Sequence, residues 1–273
     1  MPVTMPFVLK ERRGNALLIT LNRPEVYNAF EEGLLGELWD VLRGAAVIPE
    51  VRAVVLTGAG HAFCAGGDLR TLMEAYPDWP GDGFYRMAAV YHQCITEIRQ
   101  MPKPVVAAIN GPAAGGGFSI ALACDLRIMS DTAFLQQAYT SSGLCMDGGG
   151  TFTLPRLVGL AKALEIAMLD ERLDAQTALR LGLVTRVVPD AVLKDEALEL
   201  AERLARMPMS TLGELKALFN GSFQATLPEQ LELERHGLAA TANHAEGREG
   251  LAAFVERRKP DFLAATQRAR RRS

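Results

Sequence analysis

Residues 103–117 read KPVVAAINGPAAGGG. The run PVVAAI is short and apolar, which suits a strand buried on both faces. Asn110-Gly111-Pro112 then imposes a turn. The triple glycine Gly115-Gly116-Gly117 leads into FSIALAC, and the pattern predicts a buried helix over 115–124. The first backbone N–H groups of a helix have no partner within it and carry the positive end of its dipole. Glycine there lets a ligand oxygen approach the backbone closely. The stretch is thus a candidate for holding a negative oxygen, although a close helix–helix contact that needs small residues explains it equally well. Residues 104–124 are also about long enough to span a bilayer. The turn in the middle and the three glycines argue instead for strand, turn and helix.

Upstream, RAVVLT (52–57) predicts another buried strand, closed by Gly58-Ala59-Gly60. It is followed by HAFCAGGDL (61–69). Neither GxGxxG nor GxxxxGK[ST] occurs here, so a nucleotide-phosphate loop is a weak reading. A tight turn into a helix carrying Leu69 and Leu72 is the simplest local one. Residues 16–21 read as a strand ending at Asn22-Arg23-Pro24, and 126–129 as another. Helical spacing marks 30–47 and 83–100. Strand and helix alternate through the first two thirds, which predicts an α/β architecture with crossover connections. Helices then dominate, at 161–169, 175–181, 192–206, 212–219, 228–242 and 245–257, with one more strand at 184–188. A shift near Met207-Pro208 divides a core, 1–206, from a helical appendage, 207–273.

The net charge of −3 and an aromatic content of only 7% argue against a nucleic-acid binder. One basic run, at 268–272, reads as a solvated tail. The four cysteines, Cys64, Cys94, Cys124 and Cys145, are scattered, which suits reduced thiols and a cytoplasmic location. The first residues lack the apolar stretch of a signal peptide, and no membrane span is expected. No HExxH or Cys/His cluster suggests a metal site.

Taken together, the two glycine segments resemble motifs of the crotonase (enoyl-CoA hydratase/isomerase) superfamily. FCAGGDL (63–69) is similar to its F-[CAS]-[AS]-G-x-D-[IL] pattern, and 103–117 to its KPVVAAINGxAxGGG pattern. LNRPEVYNAF (21–30), LPRLVG (154–159) and ALRLGLVTRVVP (178–189) match further family segments in order and spacing. The resemblance implies a spiral of ββα units with a helical C-terminal oligomerisation region, assembled as a homotrimer or a dimer of trimers. It implies an acyl-CoA substrate, with coenzyme A as part of that substrate and no bound cofactor. It places the two backbone N–H donors of an oxyanion hole at Gly67 and Gly116. It puts Arg23, Ala62, Ala65, Gly66, Asp68, Leu69 and Tyr139 among the substrate-binding or CoA-binding positions. The acyl pocket is expected between the 73–91 region and Tyr139. Arg258 and Lys259 are further candidates for the CoA phosphates.

The chemistry of such a hole is general. Removing a proton beside a thioester carbonyl places charge on its oxygen, and preorganised N–H donors stabilise it. The family's hydratases use two glutamates. Those positions correspond here to Ser119 and, with an uncertain register, Ala138. The nearest suggestive acid is Asp147, which in branches lacking both glutamates serves as the acid/base of an enoyl-CoA isomerase. A turn or helix cap is its purely structural reading, since Asp-Gly is a frequent turn pair. In 4-chlorobenzoyl-CoA dehalogenases an aspartate here is a nucleophile assisted by a histidine; His92 matches that position, with packing on a helix face as the plainer role. Cys64 and Cys145 read as small apolar wall residues. An isomerase is the favoured expectation. Hydration, thioester hydrolysis or dehalogenation on the same scaffold are alternatives, and RNA binding, known in some relatives, is the non-enzymatic one.

Overall fold

The apolar runs become neighbouring strands of one sheet. The computed structural model describes residues 5–270. Its strands are β1 (Val8–Arg13), β2 (Ala16–Leu21), β3 (Ala53–Gly58), β4 (Val105–Ile109), β5 (Ala113–Ala114), β6 (Leu126–Ser130), β7 (Phe134–Gln136), β8 (Leu173–Asp174) and β9 (Arg186–Val188). The main sheet runs β1-β2-β3-β4-β6-β9 and is parallel throughout except for the β1–β2 hairpin. A small sheet, β5-β7-β8, stands apart from it.

The helices are α1 (Glu32–Val47), α2 (Leu69–Ala75), α3 (Pro80–Gln100), α4 (Gly116–Ala123), α5 (Gly150–Val158), α6 (Leu160–Leu169), α7 (Ala175–Arg180) and α8 (Leu193–Ala205). The C-terminal ones are α9 (Met209–Gly221), α10 (Leu227–Asn243), α11 (Ala245–Val255) and α12 (Phe262–Arg270). The α/β architecture expected from the alternation is present. None of these helices is long and apolar enough to cross a membrane, and the span-like stretch 104–124 is β4, a turn, β5 and α4.

Both faces of the central strands are covered, which is why they read as unbroken apolar runs. Along β3, Val54 and Leu56 face a core formed with α1 and α3, around Leu35, Leu38, Leu42, Cys94 and Ile98. Ala53 and Val55 face the other way, onto α8 through Ala197, Leu200 and Ala201. β1 escaped the sequence reading because it is an edge strand with only Val8 buried. The short strands β5, β7 and β8 also escaped it, being two or three residues each.

The C-terminal helices are tied to the sheet by a buried polar knot. Arg52, just before β3, donates to Glu246 at 2.9 Å and to the carbonyls of Ala205 and Met207. Glu246 also accepts from Ser210 and Thr266, and is 1% exposed. The basic run expected as a solvated tail is helical as far as Arg270, because α12 packs on α11 and sets Arg268 3.7 Å from Glu249. Its remaining residues, Arg271 and Arg272, lie outside the described range.

Candidate active site

The two glycine segments meet because their backbones are laced together. Cys64 N–H donates to Pro112 C=O at 3.1 Å, and Ala114 N–H donates to Cys64 C=O at 2.9 Å. The contact is so close that a Cβ on Gly117 would lie 2.0 Å from the Cys64 carbonyl oxygen. Gly66 adopts φ +93°, a conformation that favours glycine. The first segment is held from its other side as well. Phe30 N–H donates to Gly66 C=O at 2.6 Å, and Asp68 N–H to Phe30 C=O at 2.8 Å.

This lacing uses up several neighbouring donors but not those of Gly67 and Gly116. Ala65 N–H goes to Tyr27, Gly115 N–H to Gln136 and Ser119 N–H to Gly115. Among the described residues, neither Gly67 N–H nor Gly116 N–H has an acceptor. Gly116 is the first residue of α4, where an unpartnered N–H is expected. Both glycines line one cavity of about 480 Å³, together with Tyr139 and Asp147. The rest of that wall is apolar and aromatic, with Phe30, Phe84, Tyr85, Met87, Tyr91, Leu144 and Met146. The 73–91 region and Tyr139 thus share one cavity, where the acyl pocket was expected.

Asp147 sits in the turn before α5. Its Oδ1 is anchored by the Gly148 N–H at 2.5 Å and by Nε2 of His92, which reaches it from α3. Among the described residues its Oδ2 has no donor. Its backbone carbonyl accepts from Ser119 Oγ at 2.7 Å. Ser119 is fully buried. Ala138 has a left-handed φ of 55° and donates its N–H to Asp170, 2.7 Å away. Burial pushes the Tyr139 hydroxyl above its ordinary range, against the lowering effect of a hydrogen bond with Ser119.

The other expected positions serve the frame around this cavity. Arg23 donates to Asp68 at 3.0 Å and to Ala29 C=O at 2.8 Å, and is mostly buried. Asp68 also caps α2 by accepting from Thr71 N–H. Ala62 is buried, and its carbonyl accepts from Asn28 and Asn110. Ala65 and Leu69 are exposed outside the cavity. Arg258 is engaged by Glu249 and Glu256. Burial raises the Cys64 thiol to about 12, whereas Cys145 is exposed at the cavity wall. His92, which the resemblance matched to a histidine assisting an aspartate, does contact Asp147. Two features went unseen in the sequence: the role of Ser119, and Tyr91, whose hydroxyl donates to Gly116 C=O at 2.5 Å. Among the described residues no three His, Cys, Asp or Glu side chains cluster as metal ligands would.

Comparison with known proteins identifies the family. The profile of the enoyl-CoA hydratase/isomerase family matches residues 11–265. The 1,2-epoxyphenylacetyl-CoA isomerase of Escherichia coli is 37% identical over 259 residues, covering 94% of this chain and 98% of the relative. A probable enoyl-CoA hydratase of Rhodobacter capsulatus is 39% identical over 248 residues, covering 90% and 93%. The crystal structure of an enoyl-CoA hydratase from Polaromonas sp. JS666 superposes with a TM-score of 0.89 at 37% identity, covering 93% of this chain and 98% of that one. The chain therefore belongs to the enoyl-CoA hydratase/isomerase family, within the crotonase superfamily.

Proposed function

We propose that this protein is an enoyl-CoA isomerase that moves a double bond from the 3- to the 2-position, with Asp147 as the single acid/base and Gly67 and Gly116 as the oxyanion donors. The observation that carries the reading is the state of the Asp147 carboxylate. One oxygen is anchored by His92 and Gly148 N–H, and the other has no protein donor. A carboxylate held that way can take a proton from C2 on its free oxygen and return it to C4 without turning. The charge that leaves with the C–H bond collects on the thioester oxygen, where two N–H donors without other acceptors stabilise the dienolate.

Hydration asks for more. A water must be held, deprotonated, and its proton delivered to carbon. By the resemblance, the positions that carry glutamates in hydratases correspond to Ser119 and, in one register, Ala138, and among the described residues Asp147 is the only acid on the cavity wall. Relatives are named both as hydratases and as isomerases, so the choice rests on this chain's own residues. Among the described residues the wall has no other charged group, which suits an apolar acyl chain without an ionic end. Its five aromatic side chains suit an aryl group such as the one in the Escherichia coli relative's name. Large apolar side chains left exposed on α10 and α11, among them Leu227, Leu238, Phe254 and Val255, support a trimer or dimer of trimers built through the 207–273 region.

The contact between His92 and Asp147 also favours a second reading, in which Asp147 is a nucleophile and His92 activates water for hydrolysis. One experiment separates the readings. Wild type and Asp147→Asn receive a 3-enoyl-CoA and a 2-enoyl-CoA in deuterated water, and products are followed by mass spectrometry. Isomerisation with little hydration, falling about 10²–10⁴-fold in Asp147→Asn, is the expected result. Efficient hydration, or isomerisation that survives the substitution, overturns the assignment. Release of free acid and CoA favours the hydrolytic reading.

A further inference from the structure

Consecutive residues of α3 reach the two halves of the site. His92 pairs with the Asp147 carboxylate, and Tyr91 donates its hydroxyl to Gly116 C=O at 2.5 Å. The tyrosine is 4% exposed, and its ring packs at 5.1 Å between centroids on Phe30. Phe30 in turn lies against Gly116, where a Cβ would meet its ring at 3.0 Å. The other edge of the Tyr91 ring abuts Gly148, the residue after Asp147. A Cβ on Gly148 would fall 2.4 Å from both the ring and the hydroxyl. The side chain is thus wedged between the backbone that carries one oxyanion donor and the backbone that carries the acid.

That position matters because the segment it grips, Gly115 and the first two residues of α4, has no side chains of its own to hold it. Three successive glycines leave the backbone an unusually wide choice of conformations. The Gly116 N–H lies in the Gly115–Gly116 peptide and the Gly116 carbonyl in the next one, the two planes being hinged at the Gly116 Cα, so a shift of the carbonyl carries with it the Cα from which the N–H projects. The Gly115 N–H and C=O are already fixed, by Gln136 C=O and by Ser119 N–H respectively. The Tyr91 hydroxyl fixes the Gly116 carbonyl. Burial raises the Tyr91 hydroxyl well above its ordinary range, so it stays protonated and keeps donating at any working pH.

We propose that Tyr91 is a positioning residue that holds the Gly116 Cα, from which the N–H donor projects, and sets its separation from Asp147. The proposal rests on the reading of Gly116 as a donor and Asp147 as the acid/base. It assigns Tyr91 no contact with the migrating proton.

The test uses the whole protein and two readouts. The first is isomerisation, as kcat and KM separately. The second is the absorption of bound 4-dimethylaminocinnamoyl-CoA, which has no C4 hydrogen to migrate. Its band moves to the red as its thioester oxygen accepts stronger hydrogen bonds. Tyr91→Phe removes one hydroxyl and keeps the ring. It is expected to bind the probe within about threefold of wild type, to lose roughly half of the red shift, and to lower kcat about tenfold with KM little changed. Gly148→Ala, which keeps the hydroxyl but drives a methyl group into the ring, should lose shift and kcat together. A purely structural role would lower the melting temperature and leave the shift of the folded protein intact. Tyr91→Phe with full shift and unchanged kcat overturns the proposal. A wild type that shows no red shift overturns the reading of the hole itself, and this proposal with it. Isomerisation that survives Asp147→Asn removes the acid/base reading while the red-shift comparison still tests the hold on Gly116.

Discussion

The hydroxyl of Ser119 donates to the backbone carbonyl of Asp147 at 2.7 Å. The resemblance matches Ser119 to a glutamate of the family's hydratases, whereas here the side chain is a tether to Asp147. Ser119→Ala removes the tether and leaves a carbonyl without its donor. The expected cost is about 0.5–1.5 kcal/mol, or roughly three- to tenfold in kcat with KM little affected. Steady-state kinetics on a 3-enoyl-CoA check this, and an unchanged kcat would show that the turn holds Asp147 unaided.

Gly116→Pro tests the hole without chemistry at the acid. Proline is tolerated at the first position of a helix, where its missing N–H has no helical partner. It deletes the proposed donor, and the loss should be about 10²–10³ in kcat. Circular dichroism establishes that α4 still forms. A folded variant with a normal rate would remove Gly116 from the mechanism.

The knot of Arg52 and Glu246 predicts a pH effect on stability. Burial raises the Glu246 carboxyl, but donation from Ser210, Arg52 and Thr266 outweighs it, and the net shift is downward. A depressed folded-state pKa stabilises the protein above the ordinary carboxylate range and loses that contribution as pH falls through the folded value. Denaturant unfolding should therefore show stability dropping on acidification below about pH 4.5, the usual glutamate range. Glu246→Ala leaves Arg52 buried without its partner and should cost about 3–5 kcal/mol near neutral pH. Equal stability of the variant and wild type at pH 7 would contradict this.

The cysteines differ in reactivity. Burial pushes Cys64, Cys94 and Cys124 to about 12, whereas Cys145 is exposed. A thiol-specific reagent at pH 8 should modify Cys145 alone in the native protein and all four cysteines after unfolding. Because Cys145 lines the cavity, a bulky adduct there should also block turnover. Rapid labelling of a second native thiol would show that the core opens more readily than its packing implies.

The exposed apolar residues of α10 and α11 predict an assembly. Light scattering at micromolar concentration should give the mass of a trimer or hexamer, and a monomeric mass would contradict it.

How much of this was legible in the sequence depended on range. β2, β3 and β4 could be read because burial on both faces makes a strand uniformly apolar. α1 could be read because it buries one face, through Leu34, Leu35, Leu38 and Leu42. β1 could not, since five of its six residues are exposed. Within the candidate site, the glycine segments announced themselves by motif. The contact of His92 with Asp147 spans 55 positions, and that of Tyr91 with Gly116 spans 25. No local pattern encodes either, because a tyrosine at helical spacing reads as ordinary core until the fold shows what its hydroxyl touches.

The near-contact of Gly117 with the Cys64 carbonyl has a consequence for how such a protein can change. Behind the cavity, at Gly117 and Cys64, two bare backbones are pressed together at the spacing of the peptide unit. A side chain cannot be added at Gly117, because even a methyl group there meets an oxygen at 2.0 Å. The cavity wall with Phe84, Tyr85 and Met87 on α3 is made of side chains whose size is free to vary. Evolution, or an engineer, can therefore retailor what the cavity accepts from the α3 side while the packed backbones behind it stay the same.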